Sequence, residues 1–106
     1  MTALEALDFG PAVERLMLEK GMSYRALAAI TGLSGGYLNH LVHGNRPVPG
    51  NDVIERIAAA FEVDAAAFRD YRLRMVWESI RSRPELVEQL YRELDATARA
   101  SSTADR

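Results

Sequence analysis

Apolar residues recur along the chain at three- and four-residue spacings, and no stretch alternates apolar and polar positions between turn signals. That pattern predicts helices and no sheet. The first helix carries Pro11 in its opening turn, turns Val13, Leu16 and Met17 inward, and ends at Gly21. Ser23 caps YRALAAIT, with Leu27, Ala28 and Ile30 as the buried stripe and Gly32 as the stop. Ser34 caps a third helix whose apolar face is Tyr37, Leu38, Leu41 and Val42. GNRPVPG, residues 44–50, holds two prolines and two glycines, which exclude helix or central strand there. Asn51 or Asp52 then starts a fourth helix with Val53, Ile54, Ile57, Ala58 and Phe61 at core spacing.

The rest of the chain carries more apolar surface than a small core needs. Asp64 is a new N-cap, and a fifth helix is predicted over residues 65–82, ahead of Pro84. It has two stripes, Phe68, Tyr71 and Met75 on one side and Leu73, Val76, Trp77 and Ile80 on the other. A helix apolar on two sides is expected to bury both. A sixth helix starts near Pro84 or Glu85, with Leu86, Val87, Leu90, Tyr91 and Leu94 as its seam, and the tail from residue 100 is small, polar and expected to be disordered.

Composition narrows the function classes. There is no cysteine, hence no disulfide framework and no thiolate zinc site. There is also no signal-peptide pattern and no apolar run near the roughly 20 residues that span a bilayer, so the expectation is a cytoplasmic protein with no membrane partner. The net charge of −2 rules out a chain basic throughout. Residues 1–63 hold five Lys/Arg and seven Asp/Glu, while residues 69–83 hold five arginines against Asp70 and Glu78. A nucleic-acid surface would therefore be a local patch. His40 and His43 are three apart but have no carboxylate or cysteine nearby to complete a metal site. No nucleophile triad, phosphate-cradling loop or carboxylate pair can be placed, so neither enzyme activity nor a cofactor is expected.

Two short helices joined at Gly32 and bracketed by supporting helices fit a helix-turn-helix. Ala28 is small enough to let the second helix of the pair cross closely, Gly32 tolerates positive φ, and Leu33, Leu38 and Leu41 pack beneath. The segment GMSYRALAAITGLSGGYLNHLVHGNRPVPGNDVIERIAAAFEVD resembles the lambda-repressor and Cro type of helix-turn-helix domain, the XRE family. The matching features are S-x-x-x-L-A-x-x-x-G-L-S, the G-N-R-x-P loop, and I-A-x-A-F-x-V followed by Asp64, and the resemblance covers roughly residues 9 to 70. It implies an all-α, five-helix domain over residues 1–70 that places Ser34 to His43 in the major groove of double-stranded DNA. Residues 71–99 become a helical extension.

The resemblance further implies roles residue by residue. Ser23, Tyr24 and Arg25 stand where family members contact phosphates, with Tyr24 in place of a frequent glutamine. Ser34, Gly35, Gly36, Asn39 and His40 lie on the start and exposed face of the recognition helix. Asn39 suits adenine and His40 suits guanine. Asn45 and Arg46 stand in the phosphate-contacting loop, and His43 either touches a phosphate or favours the helix C-terminus. The departure is Gly35 and Gly36, which carry no base-reading side chain. A sterically tight helix start, a position where little is needed, close backbone approach to DNA and loss of DNA binding are all compatible with them.

The function expected is a transcriptional regulator, a repressor by occlusion in one form, acting as a homodimer on half-sites about one turn (~34 Å) apart. Leu73, Val76, Trp77, Ile80, Leu86, Leu90, Tyr91 and Leu94 are the expected dimer contacts. A low-specificity architectural protein is one alternative. An interaction module such as an antitoxin, binding a protein partner through its C-terminal helices, is the other.

Overall fold

The computed structural model describes residues 4–104, and among these there are helices and no strand. A short 3-10 turn, Leu4–Ala6, precedes α1 (Phe9–Lys20), α2 (Tyr24–Thr31), α3 (Gly35–Val42) and α4 (Asn51–Ala60). A second 3-10 turn, Ala65–Ala67, leads to α5 (Arg69–Arg81), and α6 runs over Pro84–Ala104. By contacts the chain divides into two units, Met1–Leu73 and Arg74–Arg106. No helix among the described residues is long and apolar enough to cross a membrane.

Local chemistry sets most of the boundaries. Ser23 Oγ accepts from the Ala26 N–H at 3.1 Å and Ser34 Oγ from the Tyr37 N–H at 3.0 Å, each satisfying a donor that a helix start leaves open. Asp64 does the same for Ala66 at 2.8 Å. Gly21 and Gly32 take φ of 62° and 77°, and their N–H groups close the ends of α1 and α2. The fourth helix is capped by Gly50, so Asn51 is its first helical residue.

The core of the first unit is built from Phe9, Val13, Leu16, Leu27, Leu38, Ile54, Ile57, Phe61 and Phe68, all at most 2% exposed. Phe9 and Phe68 lie with ring centroids 5.1 Å apart, which ties the start of α1 to the approach to α5.

Four sequence expectations are corrected. Ile30 is 60% exposed, and Thr31 is buried in its place. Leu27 and Thr31, four apart, share the inward side of α2, and Ile30 falls about 80° away from their common direction. The fifth helix does not run from residue 65: Phe68 is extended (φ −87°, ψ 127°), and its burial against Phe9 is what the break provides. Of the two expected stripes only Phe68, which precedes α5, is buried, with Tyr71 packed partly buried against the core and Ile80 half-buried. No residue of α5 is buried, and Leu73, Met75, Val76 and Trp77 are each at least half exposed. Finally, α6 continues through Ala104, where a disordered tail is expected from residue 100; residues 105 and 106 of that tail lie outside the described residues.

In the second unit, Arg83 N–H bonds to the Ile80 carbonyl and its own carbonyl accepts from Leu86 and Val87, which separates α5 from α6. Ile80, Leu86 and Leu90 are half-buried along a shallow cleft, whereas Val87, Tyr91 and Leu94 are exposed.

Candidate nucleic-acid interface

The bend between α2 and α3 is held by one buried hydroxyl. Thr31 Oγ1 donates to the Leu27 carbonyl at 2.7 Å and accepts from the Leu33 N–H at 3.2 Å. The Thr31 carbonyl accepts from Arg56 Nη2 of α4 at 2.7 Å. The last turn of α2, the turn itself and α4 are thereby fixed to one another. At the far end of α3, Gly10 of α1 lies so close that a Cβ there would come within 2.5 Å of the Val42 carbonyl oxygen and 2.9 Å of that of Leu41. The end of α3 rests on bare backbone.

With both ends held, the outer side of α3 carries no core residue. Asn39, His40 and His43 are exposed, and Leu38, Leu41 and Val42 face the core. The Asn39 carbonyl accepts from the His43 N–H at 3.1 Å and bonds His43 Nδ1 at 2.9 Å. A carbonyl only accepts, so Nδ1 carries a proton and Nε2 is the nitrogen left for other partners. Gly44 turns the chain at φ +73°, and Asn45 N–H donates to the His40 carbonyl at 2.9 Å, bringing the exposed Asn45 and Arg46 directly after the helix.

Gly35 and Gly36 have ordinary negative φ, and nothing lies within 4 Å of where a Cβ would stand on either. A sterically tight helix start is therefore not their reason. They leave the first turn of α3 uncovered, next to the exposed Ser34.

At the start of α2, Ser23 and Arg25 are exposed and Tyr24 is half-buried. Burial first, and the Glu14 carboxylate second, push the Tyr24 phenol above its ordinary value of 10.0. It therefore stands as a neutral hydroxyl, able to donate as well as accept. Ser23, Tyr24, Arg25, Ser34, Gly35, Gly36, Asn39, His40, His43, Asn45 and Arg46 thus occupy the start of α2, the length of α3 and the loop after it.

Thr31, Arg56 and Gly10, which hold this arrangement, are not singled out by sequence reasoning. Arg56 and Thr31 are 25 residues apart, so no local spacing links them. For Gly10 a signal exists in the Gly-Pro pair at a helix start, although its partner is a backbone carbonyl with no sequence signature.

A family model described as a helix-turn-helix domain matches residues 8–70, more than half of the chain. No curated protein and no solved structure matches it. With a bend closed by Gly32 and a capped second helix whose outer side is free of core residues, the chain belongs to the helix-turn-helix domain family, of the XRE and Cro-like type of DNA-binding domain.

Proposed function

We propose that this protein is a transcription regulator that acts as a homodimer, each copy laying α3 in a major groove. The observation that carries this reading is the outer side of α3 with its following loop. Asn39 and His40 of α3 and Arg46 of the loop are exposed there in succession, after an entry turn bonded to α4 at Thr31 and with the last turn of α3 resting on α1. Fixed ends matter because base readout needs donors held in register. Asn39 reads adenine through its amide and His40 guanine through a ring N–H. Arg46, Asn45, Ser23, Arg25 and the Tyr24 hydroxyl bind backbone phosphates, and His43 joins them through Nε2 when the ring is protonated.

The bare first turn made by Gly35 and Gly36 supports close approach of α3 to the DNA backbone. It also supports a second reading, an architectural protein of low specificity, since it removes two side chains from readout. The homodimer is supported by Val76, Trp77, Tyr91 and Leu94, which are exposed on α5 and α6. The same surface would serve a protein partner.

Binding to random and selected duplexes across a salt series tests these readings. Sequence preference that survives at raised salt supports the regulator. A steep salt slope with no preference supports the architectural protein. Absence of binding at low salt removes both.

A further inference from the structure

A cleft of about 330 Å³ in the first unit has Asp8, Gly10, Leu41, Arg46, Val48 and Asp70 among its walls. Two of these groups are opposite in charge and unsatisfied. Asp70 Oδ2 is buried with no hydrogen-bond partner among the described residues, the one side-chain atom there of which this holds. Arg46 makes no hydrogen bond or ion pair among the described residues. The other acid of the cleft, Asp8, is committed to Arg69. Leaving a buried acceptor without a donor is costly, and Arg46, a guanidinium on a long flexible stem, is the one cationic side chain among the residues lining the cleft. Side chains at the surface change rotamer within nanoseconds, and Arg46 is exposed, so its guanidinium samples orientations quickly.

We propose that Asp70 is a positioning residue that draws Arg46 into this cleft when DNA is absent. This rests on the reading of Arg46 as a phosphate contact. A guanidinium has donors enough for two acceptors, but one folded into the cleft toward the buried Asp70 Oδ2 is withdrawn from the exposed loop surface where a phosphate would lie. The arrangement described above, with both groups unpaired, is the one competent to bind. DNA affinity is therefore lowered by the fraction of molecules in which Arg46 is withdrawn. Asp70 acts as a brake on the interface, although it lies in α5 and not in the helix-turn-helix.

The test is a double-mutant cycle read by DNA affinity. Asp70→Asn raises affinity by about three- to tenfold in the native background, the range expected if a partly exposed ion pair holds most of the Arg46 population. In an Arg46→Ala background the same substitution changes affinity by less than about twofold, since nothing remains to release. An equal gain in both backgrounds would mean that Asp70 acts through its field on DNA, and no gain would mean that water or a cation satisfies Oδ2; either result overturns the proposal. A second readout uses the native chain without DNA. The Arg46 Nε–Hε proton exchanges with water more slowly than that of Arg25, which is exposed and makes no hydrogen bond or ion pair among the described residues. Equal exchange overturns the pair even if Asp70→Asn does not fold. If no variant binds DNA, the regulator reading fails while this exchange measurement still decides the pair.

Discussion

The Arg56 guanidinium reaches across from α4 and donates to the Thr31 carbonyl oxygen at 2.7 Å, at the point where the chain leaves α2 for α3. Next to it, a Cβ on Gly32 would stand 3.2 Å from the same Nη2. The bend is thus defined by a glycine in the left-handed region and an arginine clamped over it. Arg56→Ala is expected to lower stability by about 1–1.5 kcal/mol, toward the low end for a bond to a charged donor because Arg56 is itself exposed. Arg56→Lys should recover little, since an ammonium lacks the planar reach of a guanidinium. Urea unfolding of both variants checks this.

Gly10 and Gly36, both at ordinary φ, have opposite expected outcomes on substitution. Gly10→Ala drives a methyl into the Val42 and Leu41 carbonyls and should cost about 1–3 kcal/mol. Gly36→Ala meets open space at an ordinary φ and should stabilise the fold by about 0.5–1 kcal/mol. If α3 approaches the DNA backbone closely, Gly36→Ala will nevertheless weaken binding. Thermal melts alongside affinities separate the two effects. A more stable variant with unchanged affinity would count against close approach.

The raised phenol of Tyr24 gives a signed pH dependence. Its native form holds the proton to higher pH than the unfolded chain does. The contribution is therefore complete below the ordinary tyrosine value of about 10 and is lost as pH rises through the native one. In Tyr24→Phe this alkaline loss should shrink. Stability measured at neutral pH and again above the ordinary tyrosine range checks it. An identical alkaline loss in both proteins would assign it elsewhere.

Trp77 is 58% exposed and is the chain's one tryptophan, so it reports on the proposed dimer directly. Its emission should shift to the blue as protein concentration rises, and Trp77→Ala or Leu90→Ala should lower the mass seen by light scattering. A native protein that is monomeric at high micromolar concentration contradicts the homodimer.

What the sequence makes legible here is whatever is decided within a few residues. Ser23, Ser34 and Asp64 bond to N–H groups two or three positions ahead, and Gly21 and Gly32 take positive φ where the helices stop. The end of α4 breaks this rule, because Glu62 takes φ 59° without a glycine to mark it. Phe68 is misread as helical for a different reason, since its place is set by Phe9 of α1 and not by its neighbours in the chain, whereas Ile30 is misread because Thr31 takes the inward position beside Leu27. The face of α3 is legible because Leu38, Leu41 and Val42 fix its inner side, and the clamp of Arg56 on Thr31 is not. The stripes of α5 are legible as apolar but not as exposed, since periodicity records what a face prefers and not what covers it.

The most direct test of the account is the salt dependence of DNA binding in the native protein, Arg46→Ala and Asn39→Ala, measured on a selected duplex and its single-base variants. Arg46→Ala should weaken binding to all duplexes alike and reduce the magnitude of the salt slope by about 1. Asn39→Ala should leave the slope unchanged and relax preference at one base pair by about 1–3 kcal/mol. If Arg46→Ala alters preference while Asn39→Ala leaves it intact, or if neither substitution changes binding, the assignment of α3 and its loop as the DNA-contacting surface is contradicted.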